Sequence, residues 1–354
     1  MRKLRTAVVG LGRIGWQYHI PQILSHDGFS LEGVVDLDQN RLDEAREQYG
    51  VQGFQELSQM LDCIHPELTV IASPTHLHRD HAVLAMEKGS DVFLDKPMAK
   101  DLREAEEIAA AMERTGRRLM VYQPHRGVPE VAVLRRILNK GILGRIYMFK
   151  RAATNYCRRS DWQAMKKFGG GMLNNYGAHY IDQLFCLTGS CRPQSLYCYT
   201  DKIATLGDAD DVVKAVIRTD TGVLLDLDIN MASAQEMTPW MVLGSHGSVQ
   251  LETDEEGRRF FRAKYCIPEE LSELTLSEDT AAKDRLYNSD QPIPWHVEDF
   301  PVTQEDQVSF YDKCYSYFAL NGAPFVPVQE TLQLMDTIRL CRESAEGAAA
   351  LRQK

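Results

Sequence analysis

Residues 7–15 read Ala-Val-Val-Gly-Leu-Gly-Arg-Ile-Gly, a short apolar run that enters a Gly10-x-Gly12-x-x-Gly15 turn. A second apolar run ends about twenty residues further on, in Asp36. A strand, a glycine triplet, a helix and an acid in this order are typical of the first βαβ unit of a dinucleotide-binding fold. The alternative is a glycine-rich turn in an unrelated α/β protein, and the agreement of all these features disfavours it.

The glycines have different expected roles in a phosphate-binding turn. Gly10 permits the tight turn that leaves the strand, and Gly12 lets the backbone approach a pyrophosphate closely. Gly15 allows the helix to pack near the sheet. Because the N-terminus of that helix offers unpaired N–H groups to the phosphates, Arg13 and Ile14 are also expected to face the cofactor.

Asp36 predicts which dinucleotide binds. Its carboxylate is expected to accept hydrogen bonds from the adenosine ribose and to repel a 2′-phosphate, which favours NAD over NADP. The guanidinium of Arg13 binds phosphate well and could weaken that preference.

The composition indicates a globular protein with two domains. The chain has 354 residues, of which 44% are hydrophobic and 25% are charged, and this length exceeds one ordinary core. A net charge of −10 argues against a nucleic-acid or membrane partner. The sequence contains no apolar stretch of membrane-spanning length and no signal-peptide pattern, so a cytoplasmic location is expected. The scattered cysteines form no Cys-x-x-Cys pair and are expected to be reduced thiols.

Strand-like and helical segments alternate through the first third of the chain. Strands are expected at 31–36, 69–72, 91–94 and 118–122, and helices at 41–49, 77–88 and 102–115. Repeated βα units predict an α/β fold that begins with a doubly wound, parallel Rossmann domain over residues 1–123. Pro21 falls inside the first helix of this domain and is expected to end or kink it.

After residue 123 the pattern changes to short strands that alternate like antiparallel ones. Strands are expected at 145–151, 212–218, 223–230, 241–244 and 248–253, and helices at 129–140, 310–320 and 328–343. The pattern predicts an α+β domain over residues 124–354 with an open, mostly antiparallel sheet, for substrate binding and oligomerisation. Its last helices can pack back on the first domain. The irregular segment 267–301 is expected either to contact a neighbouring subunit or to cover the active site.

Asp95, Lys96 and Pro97 directly follow the strand expected at 91–94. A strand end places Lys96 in the cofactor crevice, where burial would lower its pKa towards working pH. Lysine can then act as general acid or base in an alcohol–carbonyl interconversion. Pro97 can fix the turn with a cis bond. The alternative interpretation is that Lys96 is an exposed surface lysine without a catalytic role.

Residues 169–182 lead from three glycines into a helix that carries a histidine. Asn175, His179 and Asp182 are four and three residues apart, so they share one face of that helix. His179 can hydrogen-bond a substrate hydroxyl or share a proton with Lys96, and Asp182 can orient the imidazole. The alternative interpretation is a capped helix in which His179 is a core residue with its hydrogen bonds satisfied and has no catalytic role.

Residues 73–78, Ser-Pro-Thr-His-Leu-His, follow another strand end. Ser73 and Pro74 suit a turn that contacts the cofactor, and His76 and His78 are expected beside them. The histidines could suggest a metal, but no carboxylate or cysteine completes a ligand set. We therefore expect no metal site.

Together these motifs resemble the Gfo/Idh/MocA family, which includes glucose–fructose oxidoreductase and inositol dehydrogenase. The resemblance covers nearly the whole chain. The glycine turn with Asp36 is similar to the family's cofactor turn, and residues 73–78 are similar to its loop beside the nicotinamide.

Two further motifs resemble the parts of the family pattern that contain its catalytic residues. Residues 95–97 resemble the family's Glu-Lys-Pro motif, in which the lysine is catalytic, so Asp95, Lys96 and Pro97 are implied to contact the cofactor. Residues 170–182 resemble its Gly-Gly-x-x-x-Asp-x-Gly-x-His-x-x-Asp signature, which implies that His179 is catalytic.

The sequence departs from the family pattern at three places. Asp95 replaces the glutamate. Asn175 replaces the usual active-site aspartate and cannot exchange protons near neutral pH, so proton transfer is expected of Lys96 and His179. Residues 123–126, Gln-Pro-His-Arg, stand where relatives often have an Asn-Arg-Arg-like run, which leaves the substrate open.

The resemblance implies an NAD(H)-dependent oxidoreductase that oxidises a ring hydroxyl of a sugar, cyclitol or glycoside, or reduces the matching ketone. Lys96 would remove the hydroxyl proton, His179 would relay it, and Asn175 would bind the substrate. Further candidates for the substrate pocket are Tyr122, His125, Arg158, Asp161, Trp162 and Tyr176. A homodimer or homotetramer is expected, because relatives are often oligomers.

Two other functions remain open from the sequence. Some relatives hydrolyse glycosides while they retain NAD, and cleavage of a nitrophenyl glycoside without net NADH formation would reveal such a hydrolase or lyase. The fold could also serve a non-catalytic dinucleotide-binding sensor. A sensor needs neither Lys96 nor His179, so it is disfavoured.

Overall fold

The computed structural model describes residues 2–189, 192–274, 276 and 292–352. Residues 275 and 277–291 of the irregular segment 267–301 lie outside these ranges, so the role of the segment remains a prediction. None of the helices in the described ranges combines the length and the apolar character that a membrane-spanning helix requires.

Six parallel strands form the first sheet. They are β1 (Leu4–Val9), β2 (Phe29–Val35), β3 (Gln52–Phe54), β4 (Leu68–Ile71), β5 (Asp91–Asp95) and β6 (Leu119–Tyr122). The order across the sheet is β3-β2-β1-β4-β5-β6, so the chain changes direction between β1 and β4. Ligands of such sheets bind beyond the carboxyl ends of the strands at this switch point. The expected doubly wound parallel sheet is confirmed.

Helices cover both faces of this sheet. They are α1 (Ile20–Ser25), α2 (Gln39–Tyr49), α3 (Leu57–Ile64), α4 (His78–Glu87) and α5 (Leu102–Thr115). Of the two effects expected at Pro21, an end or a kink of the helix, the end is wrong, because α1 continues through it. A π-helical segment, Gly15–His19, precedes α1, and the proline occupies the first turn after it, where a missing N–H is tolerated.

The second sheet has eight strands in the order β14-β13-β12-β11-β7-β10-β9-β8. They are β7 (Ile146–Thr154), β8 (Pro193–Asp201), β9 (Val212–Thr219), β10 (Leu224–Asn230), β11 (Trp240–Gly244), β12 (Gly247–Thr253), β13 (Arg259–Tyr265) and β14 (His296–Pro301). The β7–β10 pair is parallel and the other neighbours are antiparallel. The expected mostly antiparallel sheet is therefore confirmed. Its inner face packs on α6 (Pro129–Lys140) and α7 (Ala178–Thr188).

The last two helices pack against the first sheet. Phe310 and Tyr311 of α8 (Phe310–Leu320) belong to the apolar core on one face of that sheet. On α9 (Val328–Arg352), Met335 joins the core on the other face, whereas Ile338 joins the core of the second sheet. Because α9 contributes to both cores, it fixes the two sheets on either side of the crevice.

Candidate active site

The glycine turn after β1 fits a dinucleotide pyrophosphate. Gly10 has a φ of +95°, and a Cβ atom there would lie 2.7 Å from the carbonyl oxygen of Ala72. A Cβ atom on Gly15 would overlap the carbonyl oxygen of Gly10, so both positions exclude side chains. A Cβ atom on Gly12 would meet nothing within 4 Å. The turn is therefore closed on the protein side and open over Gly12, as a phosphate site requires.

Asp36 is held in place beside this turn. Its Oδ2 atom accepts a hydrogen bond from the backbone N–H of Leu11 at 2.7 Å, and its Oδ1 atom accepts one from the N–H of Asp38 at 3.0 Å. Arg41, which the sequence interpretation missed, lies 3.4 Å from Oδ2. The carboxylate is thus anchored at the edge of the glycine turn, where the ribose of a bound dinucleotide would lie.

The loop after β4 is fixed by histidines. The Nδ1 atom of His78 lies 2.9 Å from the carbonyl oxygen of Pro97, and its Nε2 atom lies 2.8 Å from that of Ser73. Burial lowers the pKa of His78 to about 4, and the two carbonyl oxygens oppose this shift because they favour the charged ring. The side chain of Ser73 hydrogen-bonds His81.

His78 therefore does not offer its ring to a cofactor, and that expectation is corrected. It is 1% exposed and connects the loop after β4 to the turn that carries Lys96. Pro74 remains exposed at the start of the same loop, and the Nδ1 atom of His76 is buried without a hydrogen-bond partner.

Lys96 follows β5 and reaches the segment before α7. Its Nζ atom donates a hydrogen bond to the side-chain oxygen of Asn175 at 2.8 Å. Burial lowers the pKa of Lys96 to about 8, and the cations Arg159 and Arg13 add to this effect, whereas the charge of Asp95 opposes it. Arg159 is a second residue that the sequence interpretation missed.

Asp95 supports the backbone of Lys96 rather than its amine. The Oδ1 atom of Asp95 accepts a hydrogen bond from the N–H of Lys96 at 2.8 Å. Burial raises the pKa of Asp95 to about 6, and the positive charge of Lys96 opposes this shift. The bond between Lys96 and Pro97 is cis.

Asn175 lies in a π-helical segment, Leu173–Gly177, that leads into α7. Its side-chain amide nitrogen donates to Gln163 at 3.4 Å while its oxygen accepts from Lys96. The sequence interpretation assigned Asn175 to the substrate. In the structure its amide oxygen orients the lysine amine, and its contact with a substrate stays a prediction.

His179, near the start of α7, stacks on His125. The two rings are nearly parallel, with an interplanar angle of 8° and centroids 3.9 Å apart. Burial and the charge of Lys96 hold the pKa of His179 well below its usual value, and burial and Lys96 also lower the pKa of His125 to about 4. Both imidazoles are therefore neutral, and the Nδ1 atom of His179 is buried without a partner.

Asp182 does not orient His179, which corrects the expectation from their spacing. Arg126 donates to both of its carboxylate oxygens, from Nε at 2.7 Å and from Nη2 at 2.6 Å. Both side chains are almost completely buried. A bidentate pair with arginine satisfies a buried carboxylate better than one imidazole N–H does, so Asp182 is committed to Arg126.

Tyr122 does not belong to the pocket either. It is 6% exposed, and its ring stacks on Tyr18 with centroids 4.9 Å apart. The edge of Phe310, from α8, contacts the same ring. Tyr122 thus faces the core of the first sheet.

A cavity of about 550 Å³ is lined by His125, whose ring stacks on His179. The predicted pocket residues His125 and Tyr176 line it, together with Arg151, Tyr180, Gln183 and Trp240. The other predicted residues lie at or before the 3₁₀ turn Trp162–Ala164. Arg158 and Asp161 are exposed, and Trp162 is 38% exposed. Asp161 accepts a hydrogen bond from the N–H of Gln163 and so caps that turn.

Family models match both halves of the chain. The model of the oxidoreductase family with an NAD-binding Rossmann fold matches residues 4–123, and the model of the GFO/IDH/MocA C-terminal domain matches residues 131–250. The chain belongs to the Gfo/Idh/MocA oxidoreductase family.

Individual relatives are distant. The chain is 26% identical to D-glucoside 3-dehydrogenase of Escherichia coli over 57% of its own length and 59% of that protein. It is 24% identical over 98% of both chains to an uncharacterised E. coli oxidoreductase, YdgJ. The fold matches the WlbA dehydrogenase from Bordetella pertussis, solved with NADH and UDP-GlcNAcA, with a TM-score of 0.77 at 23% identity over 98% of both chains.

Proposed function

We propose that the protein is an NAD(H)-dependent dehydrogenase that oxidises a ring hydroxyl of a sugar, cyclitol or glycoside, or reduces the matching ketone. The observation that carries this proposal is the hydrogen bond from the partly buried amine of Lys96 to Asn175, which lies four residues before His179 at the start of α7. An amine that can lose its proton near neutral pH and a neutral imidazole can together move a hydroxyl proton. Relatives that are named as sugar dehydrogenases support a ring hydroxyl of a sugar as the group that reacts.

The glycine turn would hold the pyrophosphate of the dinucleotide, and Asp36 would accept hydrogen bonds from its ribose. The open space over Gly12 and the anchored carboxylate of Asp36 support this assignment. The charge of Asp36 disfavours a 2′-phosphate, so we propose NAD as the preferred cofactor. When bound, NAD supplies the hydride acceptor for the substrate carbon.

Lys96 is the proposed general acid and base. Because its pKa is about 8, a fraction of the amine is neutral near neutral pH and can accept the proton of the substrate hydroxyl. The oxygen of Asn175 accepts a hydrogen bond from Nζ in either protonation state and keeps the amine oriented. In the reverse reaction the ammonium group returns the proton to the carbonyl oxygen.

His179 is proposed to position the hydroxyl and to relay its proton. A neutral imidazole has one N–H and one lone pair, so it can donate to one oxygen and accept from another. The parallel ring of His125 restricts the orientation of His179, since Asp182 is occupied by Arg126. His125 is in this way a positioning residue.

Replacement of Lys96 by methionine tests the proposal. We expect Lys96→Met to retain NAD binding and to lose turnover by about 10²–10⁴-fold, because the group that moves the proton is removed. NADH formation is followed by absorbance over inositols, aldoses, sugar acids and glycosides, with Lys88→Met as the surface control. Turnover of Lys96→Met within a few-fold of wild type would refute the role of the lysine. Glycoside cleavage by the wild type without net NADH would refute the dehydrogenase and favour a hydrolase.

We further propose that the protein forms a homodimer or homotetramer through the outer face of the second sheet. Tyr197 on β8 is 52% exposed on this face and lies opposite Val216 on β9. The same face carries the ion pairs of Lys214 with Asp226 and Asp228, so it offers both apolar and charged groups to a second copy of the chain. Light scattering should give a mass of at least twice 40.2 kDa, and Tyr197→Asp should lower it. A monomeric wild type would contradict this assembly.

A further inference from the structure

Arg151 on β7 lines the cavity of about 550 Å³ beside the stacked imidazoles. It is 9% exposed. Its guanidinium lies 3.8 Å from the ring centroid of Tyr180 and 4.5 Å from that of Trp240, so it contacts two aromatic rings. Such contacts fix the plane of the cation without neutralising its charge.

The hydrogen-bond acceptors of Arg151 are uncharged. Its Nη1 atom donates to the carbonyl oxygens of Ala152 at 2.6 Å and Pro239 at 3.0 Å, and its Nε atom donates to the side-chain oxygen of Gln183 at 3.2 Å. These acceptors orient the group and leave its charge uncompensated.

No ion pair between described residues includes Arg151. The negative charge of Glu130 acts on Arg151, but the ion pair of Glu130 is with Arg259. A buried cation without a counter-ion is costly, and an anion that enters the same cavity is attracted strongly because the surroundings are less polar than water. Glu130 and Glu236 also line the cavity, but Glu130 is paired with Arg259 and Glu236 is exposed to solvent. A negatively charged group that enters beside Arg151 is therefore favoured over a neutral one of the same size.

Two residues of the cavity wall lie next to the proposed catalytic groups. His125 lines it, and the same ring stacks on His179. Tyr176, which also lines it, directly follows Asn175, the partner of Lys96. A molecule whose hydroxyl meets Lys96 and His179 can extend past His125 towards Arg151.

We infer that this cavity takes a carboxylate or phosphate substituent of the polyol substrate and that Arg151 holds it. The inference rests on the proposed function, because it assigns a second part of the same substrate. Guanidinium groups form charge-assisted hydrogen bonds with both kinds of anion. The volume of about 550 Å³ is typical of pockets that enclose a whole small ligand rather than a single group.

A binding comparison tests the inference on the wild-type protein. Calorimetry with the NAD-saturated protein compares methyl α-D-glucoside with D-glucuronate and with D-glucose 6-phosphate. At least one anion should bind about tenfold or more tightly than the neutral glucoside, and added salt should reduce this advantage. The carboxylate and phosphate probes identify which anion is preferred. Equal affinity for all three, or no binding of either anion, would overturn the inference.

Variants separate anion binding from a structural role of Arg151. Arg151→Met keeps an unbranched chain between the two rings and should weaken the preferred anion by about 10–100-fold, while NAD and the neutral glucoside bind as before. Arg151→Lys should retain part of the preference. Arg145→Met, which removes an exposed cation from a nearby part of the chain, should change nothing.

Equal weakening of neutral and anionic probes in Arg151→Met would show that the residue is only structural and would overturn the inference. Turnover measurements distinguish a failure of this inference from a failure of the proposed dehydrogenase function. If the anion preference is present and depends on Arg151 but no probe reduces NAD, the proposed dehydrogenase fails while the anion site stands. If neutral sugars are oxidised and no anion is preferred, the inference alone fails.

Discussion

At the residue scale, the amine of Lys96 has an amide partner, Asn175, where a carboxylate would form an ion pair. The amide oxygen accepts the hydrogen bond from Nζ without adding negative charge, so burial is the largest influence on the pKa of Lys96 and lowers it to about 8. Oxidation needs the neutral amine, and its rate is expected to rise as the pH increases through that value. Reduction needs the ammonium form, and its rate should fall over the same range.

Asn175→Asp should move both pH profiles upwards. A carboxylate 2.8 Å from Nζ stabilises the ammonium form and raises the pKa of Lys96 by about 1–3 units. The rise of the oxidation rate should therefore begin at higher pH, and reduction should persist to higher pH. Asn175→Ala, which removes the acceptor but adds no charge, is the control. Measured profiles of kcat/KM that coincide in Asn175→Asp and wild type would show that Lys96 is not the titrating group.

At the scale of elements, periodicity and turn residues predicted the regular segments well. The bounds expected for the helices at 102–115 and 129–140 are those of α5 and α6. The helix α3, the short strand β3, the strand β13 and the edge strands β8 and β14 were not predicted. A three-residue strand has no readable period, and edge strands with mixed exposure lack a clear alternation.

The candidate site was predicted only in part, because several contacts depend on residues far apart in sequence. Lys96 and His179 could be found from motifs that lie at a strand end and on a helix face. Tyr122 could not be excluded, since the ring that covers it, Phe310, comes from the other end of the chain. The spacing of Asp182 could not reveal that Arg126 occupies both of its oxygens.

The glycine turn allows a matched pair of substitutions that separates folding from cofactor binding. Gly15→Ala places a Cβ atom against the carbonyl oxygen of Gly10 and should destabilise the fold by about 1–3 kcal/mol. Gly12→Val meets open space, so the thermal midpoint should stay near that of wild type while the Kd for NAD rises by about tenfold or more. Thermal unfolding and fluorescence titration with NADH measure both effects. A Gly12→Val protein that binds NADH normally would place the pyrophosphate elsewhere.

At the scale of the whole molecule, the two sheets are joined by the end of the chain and by a buried ion cluster. Met335 and Ile338 on α9 belong to different cores. Arg126, in the loop after β6, forms ion pairs with Asp182 on α7 and with Glu330 on α9. The nitrogen–oxygen distance is 2.6 Å in each pair. The loop that carries His125 and the helix that carries His179 are thereby held against the helix that connects both cores.

Asp182→Asn should therefore weaken the whole protein rather than one sheet. The substitution leaves the buried guanidinium of Arg126 with an amide in place of its bidentate carboxylate, at a cost of about 3–5 kcal/mol in the free energy of unfolding. Glu330→Gln removes the partly exposed partner of the same guanidinium and should cost about 1 kcal/mol or less. Urea titrations followed by circular dichroism and by NADH binding should shift together, because α9 contributes to both cores. Loss of structure in the second sheet at a urea concentration where NADH still binds would show that the cores unfold independently and that α9 does not couple them.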